Sequence, residues 1–589
     1  MSSLTTEKVW QQKEWNHEKA EKTAKKLNIP LPVCALLQQR GLEDPDAIEK
    51  FLYPSLDHLP SPFLMKGVQS SVEILVNAIN HNHPVAIYGD YDVDGTTGTA
   101  VIALFLREAG LNAKCYQPDR LKDGYGLHKN LIDTINQDME KNTSLNPGKV
   151  LITVDCGISN VKETEYAQSL GFTVIVTDHH QPEEQQLPHA DAVINPWQPC
   201  CTFPHKGLAG VGVAFYLVMA LRNQLTQKNF WPVEKIPNLK DYLGLVAIGT
   251  IADMVPLTGP NRVMVKAGLE VLNDSKRPGL RALLTICNLS HVKITAEHVA
   301  FQVCPRLNAP GRLNSPEKSL RLLLSDDSEA CDKLVREIDK DNQKRKLLSE
   351  ELFKVATKLA EEKFNTDKKT IVIKGDNWPL GLVGIVATKI SKLFYRPTIV
   401  LSKINGIYKG SGRSIDELNL LEAVKECKEY CLNLGGHKGA IGLSIKKENL
   451  SAFTASFEKV TRVKLSGLNL TPKMAFDLKI DKEFHIDTDF LKYIYMLQPF
   501  GNGNPEPTFT INIDKLSGIR SIGNNHVKFF TELNHTKYDT IGFNLKKHSE
   551  NLINSSNRKM AFNLKLNSFK GREEWQINAL DFKFDNVTL

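Results

Sequence analysis

An α/β fold is what this sequence predicts: a parallel-sheet domain, a long helix leading to a smaller α/β domain, and an all-β barrel module at the end. Three observations carry it. Apolar, β-branched runs at 85–88, 150–154 and 172–177 recur at the spacing of strand–helix–strand crossovers. A stretch from about 326 to 364 is dense in Lys, Glu and Leu and free of Gly and Pro. From about 468 the pattern turns to short alternating strands punctuated by Gly and Asn.

Single hydrophobic cores stop growing at roughly 250–300 residues, so a chain of 589 residues implies three or four domains. Residues 1–75, broken by Pro30, Pro32, Pro54, Pro60 and Pro62, predict a small helical leader. The parallel-sheet domain spans 76–320, with strand 85–88, helix 96–109, strand 112–117, and strands 150–154, 172–177 and 192–194. The connecting helix occupies 321–367. Its core would reach ~55 Å at 1.5 Å per residue, and a helix so long and polar bridges domains. The second α/β unit covers 368–466, with strand 370–374, helix 382–394 and strand 397–402. The last unit, 467–589, is expected to be all β without a helix.

Hydrophobic content of 41% and charged content of 24% belong to a globular chain. The net charge of +7 fits a polyanionic partner without demanding one. Ten cysteines at irregular spacings, with no Cys-x-x-Cys pair, suggest reduced thiols in the cytoplasm rather than a disulfide framework. The opening M-S-S-L-T-T-E-K-V-W lacks the apolar core of a signal peptide. The longest uncharged stretch, 207–221, falls short of the ~20 residues a membrane helix needs, so no membrane partner is expected. Within it, G-L-A-G-V-G has the wrong spacing for a dinucleotide loop and suggests close helix packing.

Chemistry concentrates at the strand ends. Asp90, Asp92 and Asp94 in Y-G-D-Y-D-V-D-G, Asp155 in T-V-D-C-G, and Asp178, His179 and His180 in T-D-H-H each follow an apolar run. If the runs are neighbouring parallel strands, their carboxyl ends open into one crevice. So many carboxylates repel one another unless cations bridge them. Asp253, in the otherwise apolar A-D-M-V-P-L, also needs a partner. An oxygen-rich set with an imidazole suits two Mn²⁺ or Mg²⁺ ions better than zinc. Such a pair serves in-line displacement at phosphorus, which makes the chain a metal-dependent hydrolase.

D-Y-D-V-D-G-T-T-G-T-A, T-V-D-C-G-I, T-D-H-H and A-D-M-V-P-L resemble, in order, the motifs of the DHH phosphoesterase superfamily. P-R-L-N-A-P-G-R, S-G-R-S and G-G-H-K-G-A-I-G narrow the resemblance to RecJ-type single-strand-specific exonucleases. Q-P-F-G-N-G-N-P-E-P (498–507) resembles the opening of that family's oligonucleotide-binding (OB-fold) barrel. The resemblance implies a DHH domain, a DHH-associated domain and the barrel. It implies Asp94 and His179 on one ion, Asp92 on the other, Asp155 bridging, Asp253 completing the shell and Asp90 assisting. His180 would face the phosphate or orient Asp178. A histidine of the pyrophosphatase branch is replaced here by Tyr88, a poor ligand for a hard cation. The implied activity is 5′→3′ hydrolysis of single-stranded DNA to 5′-mononucleotides in recombination and repair. Implied partners are single-stranded DNA, a single-strand-binding protein and a recombination helicase.

Substrate-gripping residues follow. Ser411 and Arg413 offer a hydroxyl and a forked guanidinium to a phosphate, and His437 adds an imidazole beside close-approach glycines. Arg306, Asn308 and Arg312 are expected on a loop near the cleaved bond, and Arg120 at a strand end able to meet a terminal 5′-phosphate. In the barrel, Lys528-Phe529-Phe530, Lys565, Phe569-Lys570 and Trp575 interleave basic and aromatic residues suited to a single strand. Two alternatives stay open at this level. A small-nucleotide phosphodiesterase would turn over a dinucleotide as fast as a long strand. A non-catalytic strand-binding relative would show no hydrolysis under saturating Mn²⁺.

Overall fold

The structure is a computed structural model that describes residues 7–584, apart from 121, 142–147, 183–186, 314–315, 365–366, 482–483, 485, 534–535 and 570–571. Strands Val85–Gly89, Lys114–Tyr116, Lys149–Val154, Phe172–Thr177 and Ala192–Ile194 form one wholly parallel sheet. Lys114–Tyr116 lies at one edge, next to Val85–Gly89, and the other three follow in sequence. The strand order therefore reverses between Val85–Gly89 and Lys149–Val154. At such a reversal, loops leaving the carboxyl ends part to opposite faces and open a crevice. Both faces of the sheet are covered, which is why its strands are continuous apolar runs. Ile87, Ile152 and Ile175 join one core with helices Val68–His81, Val93–Glu108 and Gly210–Gln227, while Tyr88, Leu151 and Val174 join Ile132, Ile135 and Ala167 on the other side.

Helix Ser328–Lys363 bridges two domains, as its polarity predicts. Leu334, Val335 and Ile338 belong to the first core, and Leu352, Ala356 and Ala360 to that of the next domain. In that second domain the strand order is Ile371–Asp376, Thr398–Ile404, Ile407–Arg413, Ala440–Lys446, Cys431–His437, and only the first pair is parallel. S-G-R-S and G-G-H-K-G thus lie on strands and at a hairpin.

The C-terminal unit holds a seven-stranded sheet. It also holds helix Thr488–Met496, where none was expected. Its aromatic-rich F-L-K-Y-I-Y-M has strand propensity, but Phe490, Tyr493 and Ile494 fall on one helical face and are buried together, with Asp487 capping the start. The leader differs from expectation too. Its first described element is a strand, Val9–Gln12, paired in parallel with Lys473–Phe476. Val33, Leu36 and Phe51 share the core of Phe490, Phe509 and Phe562, whereas helix Val68–His81 packs into the parallel-sheet core. Among the described residues no helix is long and apolar enough to cross a membrane.

Candidate metal centre and phosphate cleft

The two loops flanking the strand reversal supply the acids. Helix Val93–Glu108 starts earlier than the expected 96 because Asp92 caps it, accepting from the N–H groups of Asp94 and Gly95 at 2.9 and 3.1 Å. Asp94 therefore sits in the first helical turn rather than on a loop. Asp155 follows its strand at φ 62, a left-handed conformation that Asp tolerates better than most residues. Asp253 caps the end of the buried helix Leu243–Ala252.

G-L-A-G-V-G does more than pack. The N–H groups of Gly210 and Val211 donate to the two carboxylate oxygens of Asp94 at 2.6 and 2.8 Å, from the N-terminus of helix Gly210–Gln227. A Cβ at Gly210 would lie 2.7 Å from that of Asp155, so only glycine fits. The Leu208 carbonyl is 2.8 Å from His179 Nδ1, so it accepts that N–H and leaves the Nε2 lone pair facing the acids.

His179 Nε2 lies 3.1 Å from Asp155 Oδ1, 3.5 Å from Asp253 Oδ2 and 3.9 Å from Asp94 Oδ2. Two sets of three groups come close enough to share a cation: Asp94, His179 and Asp253, and Asp90, Asp92 and Asp155. A third set joins Asp155 and His179 to His180. Among the described residues, Asp90 Oδ1, Asp155 Oδ1 and His179 Nε2 are buried without a hydrogen-bond partner. Buried acceptors orphaned together around one point fit a pair of oxygen-preferring divalent ions.

Electrostatics agree. Burial and then Asp92 push Asp94 up to about 7, while burial and then Asp94 push Asp253 up to about 9. Burial, then neighbouring carboxylates, also holds Asp90 and Asp155 well above the ordinary range. His179 is pushed down to about 4 by burial and by His180, so it is a neutral imidazole at pH 7. A carboxyl group whose folded pKa is raised contributes stability below its unfolded value, near 4, and loses it as pH rises through the folded value. Metal-free protein is therefore expected to lose melting temperature as pH climbs from 6 to 9, through the values of Asp94 and Asp253. Added Mn²⁺ should restore most of the loss, as thermal melts in EDTA against Mn²⁺ would record.

Asp178 is committed to hydrogen bonds that order its own loop. Its Oδ1 accepts the backbone N–H groups of His179 and His180 and pairs with His180 Nδ1 at 2.8 Å, and its Oδ2 accepts the Ile158 N–H. Burial opposes charge on both partners, yet their mutual bond lifts His180 to about 9 and holds Asp178 below its usual value. The Tyr125 hydroxyl lies 3.0 Å from the same ring nitrogen of His180. Tyr88 is turned away, donating its hydroxyl to the Gly126 carbonyl at 2.9 Å.

Facing the acids is a cluster of the opposite sign. Arg120 stacks over Tyr91, 5.1 Å from its ring centre. Arg312 reaches the Gly381 carbonyl, at the start of helix Leu380–Phe394 in the second domain, at 3.1 Å. Burial, then repulsion from Arg120 and Arg345, pushes Arg312 down to about 10. Arg413 bonds Ser411 Oγ at 2.6 Å, and its pKa too is lowered by burial and by Arg120. Among the described residues none of these four arginines has a carboxylate in ion-pair range. Arg413, Ala440 and His437 stand in one row across three strands, so the second domain presents guanidinium and imidazole at one sheet end.

The chain matches the family model for the DHH family N-terminal domain over residues 84–250, the DHHA1 domain over 367–462 and the RecJ OB domain over 476–581. It is 34% identical over 582 residues to the single-stranded-DNA-specific exonuclease RecJ of Bacillus subtilis, covering 98% of this chain and 71% of that one. The chain belongs to the RecJ family. The crystal structure of Thermus thermophilus RecJ in complex with Mn²⁺ superposes with a TM-score of 0.80 at 27% identity, covering 98% of this chain and 80% of that one. The Mg²⁺ complex of that protein gives 0.74 at 26% identity, covering 98% and 79%. The predicted α/β architecture, DHH and DHHA1 domains with an OB domain appended, is the RecJ architecture.

Several expectations shift within the RecJ frame. P-R-L-N-A-P-G-R is helical, split between Cys304–Leu307 and Ala309–Leu313, because the chain arrives from the π-helical turn Val299–Val303. Arg306 is drawn to Asp339 on the long helix at 2.8 Å and to the Gln302 carbonyl at 2.9 Å, so it braces helices instead of joining the guanidinium cluster. Asn308 and Arg312 line a groove of about 880 Å³ that runs to the OB domain past Met254, Phe301 and Phe500. In the barrel, Phe529 is core, Lys528 pairs with Asp539 at 2.7 Å, Trp575 packs against the core, and Lys565 pairs with Glu297 of the DHH domain at 2.7 Å. Lys570 lies outside the described residues. Sequence reading missed the Gly210 and Val211 amides, Arg345 and Tyr125. Only Gly210 left a trace, a glycine pattern that sequence reading assigned to close helix packing alone.

Proposed function

We propose that this chain is a metal-dependent exonuclease that degrades single-stranded DNA 5′→3′ to 5′-mononucleotides in recombination and repair. The observation that carries the reading is the pairing of two uncompensated clusters of opposite sign, acids with His179 on one wall and Arg120, Arg312, Arg345 and Arg413 on the other. A phosphodiester held between divalent ions and guanidinium groups neutralises both.

Asp94, His179 and Asp253 would hold one ion, and Asp90 and Asp92 the other, with Asp155 shared. Bound there, Mn²⁺ or Mg²⁺ supplies a nucleophile at neutral pH and Lewis-acid stabilisation of the leaving oxygen. The protein's own groups do the rest. His180, held cationic by Asp178, keeps a ring N–H to donate to a phosphate oxygen. Arg312, Arg413 and Ser411 orient the phosphate, and Arg120 meets the 5′ end. His437 lies beside strand glycines with open space above them: a Cβ at Gly435 or Gly442 would touch nothing of the protein. Bare glycines on a strand suit close approach of a ligand. Gly442→Val should therefore raise KM for a single strand several-fold while leaving the melting temperature unchanged, as steady-state kinetics with a thermal melt would show.

An enzyme confined to single strands needs an unwinding activity to supply them, which supports a recombination helicase and a single-strand-binding protein as partners. All ten cysteines are unpaired, which supports a reducing, cytoplasmic setting. Digestion of end-labelled single and double strands, with and without a 5′-phosphate, across Mn²⁺ and Mg²⁺, tests the whole reading. Mononucleotide release from the 3′ end, or equal turnover of duplex, would overturn it.

A further inference from the structure

The turn that carries Asp253 is held from outside its own domain. Asp253 ends its helix, and Met254 then adopts φ 61, a left-handed conformation costing a Met roughly 1 kcal/mol. Met254 is 71% exposed, so the turn has little packing of its own. Two hydrogen bonds compensate, both to one residue of Q-P-F-G-N-G-N. Asn502 Nδ2 donates to the Met254 carbonyl at 2.7 Å, and the Leu257 N–H donates to the Asn502 carbonyl at 2.7 Å. Gly503, at φ 71, lets the chains meet: a Cβ there would come within 2.9 Å of Pro256.

Asn502 is itself fixed from behind. Gly501 and Asn504 exchange backbone hydrogen bonds across it. Asn504 is fully buried, donates to the Leu497 and Pro499 carbonyls at 2.8 and 2.9 Å, and accepts from Arg40 Nε at 2.8 Å. The residue grasping the Asp253 turn therefore stands on a rigid base.

We infer that Asn502, reaching across from the OB domain, is a positioning residue for the Asp253 carboxylate in the metal centre. This rests on the reading of Asp253 as a metal ligand. Groups that orient a ligand without touching the metal commonly govern affinity by about 10- to 100-fold. Asn502→Ala removes the donor, and Asn502→Asp removes it while keeping side-chain volume and the backbone carbonyl.

The test is Mn²⁺ binding to the full-length chain, followed by the electron paramagnetic resonance signal of free and bound ion, alongside kinetics on a short single strand. Both variants should bind Mn²⁺ about tenfold more weakly, show an altered bound-ion spectrum, and lose kcat with little change in KM. Their melting temperature in EDTA should match the parent's. Glu297→Gln, which breaks the Lys565 pair at the same domain interface, should leave Mn²⁺ affinity unchanged. Unaltered affinity in both Asn502 variants, or equal weakening by Glu297→Gln, would overturn the inference while leaving the metal centre intact. A parent chain that binds no Mn²⁺ would instead remove the metal reading and this inference with it.

Discussion

Strand cleavage falls by about a thousandfold or more when Asp155 is replaced by alanine or asparagine, the several kcal/mol of charge stabilisation a metal pair contributes. Binding of the single strand should survive within a few-fold, because Arg120, Arg312 and Arg413 remain. The expectation follows from placement: Asp155 Oδ1 is buried, has no hydrogen-bond partner among the described residues, and is close to both candidate ion sets. Asparagine is the cleaner probe, since it accepts the left-handed backbone at this position whereas alanine adds strain. A second readout separates this account from general damage. Burial and the neighbouring Asp94 charge hold the Asp155 carboxyl above its ordinary range, so its ionised form weakens the metal-free fold as pH rises. Asp155→Asn should therefore melt higher than the parent in EDTA at pH 8, yet lose the stabilisation that Mn²⁺ confers. Full nuclease activity in that variant would end the bridging role.

The acids were legible in the sequence because their chemistry is carried by side chains and their positions by strand periodicity. Asp90, Asp92, Asp94, Asp155 and His179 follow apolar runs that a parallel sheet must bury, and the strand order then brings them together. What escaped has a physical reason in each case. The amides that fix Asp94 belong to Gly210 and Val211, and a backbone donor leaves no chemical mark on a sequence. Arg345 sits in a helix crowded with Lys and Arg, where one cleft-facing cation looks like its solvated neighbours. Arg306 was expected at the substrate because the P-R-L-N motif gave no hint of Asp339 one helix away. The strand placement of S-G-R-S and G-G-H-K-G was not legible because glycine lacks strand propensity, although glycine on a strand is what a close-approaching ligand requires. The leader's place was illegible for another reason: its partners lie near the far end of the chain, and no local pattern encodes a contact at that separation.

Arg262 is where that long-range assembly is held, and Arg262→Met should destabilise the protein by roughly 3–5 kcal/mol. The side chain is 2% exposed, and its guanidinium donates to three carbonyls at 2.9 Å: Phe51 from the leader, and Met496 and Leu497 from the C-terminal unit. It also lies over the Phe51 ring, 3.8 Å from its centre. Methionine keeps much of the aliphatic volume and strands all three acceptors in the interior, so hydrogen bonding rather than packing carries the loss. Lysine would keep the charge, but a point ammonium cannot present a planar fork, and recovery should be partial. Because the cation is buried, the effect should barely change with salt, unlike that of a surface ion pair. Urea unfolding measures the loss. Limited proteolysis locates it, with faster cleavage expected in the leader and around 498–507 than in the parallel-sheet domain. A denaturation midpoint within error of the parent's would mean that the three segments are held by their apolar contacts alone, and Arg262 would then be only a tolerated buried charge.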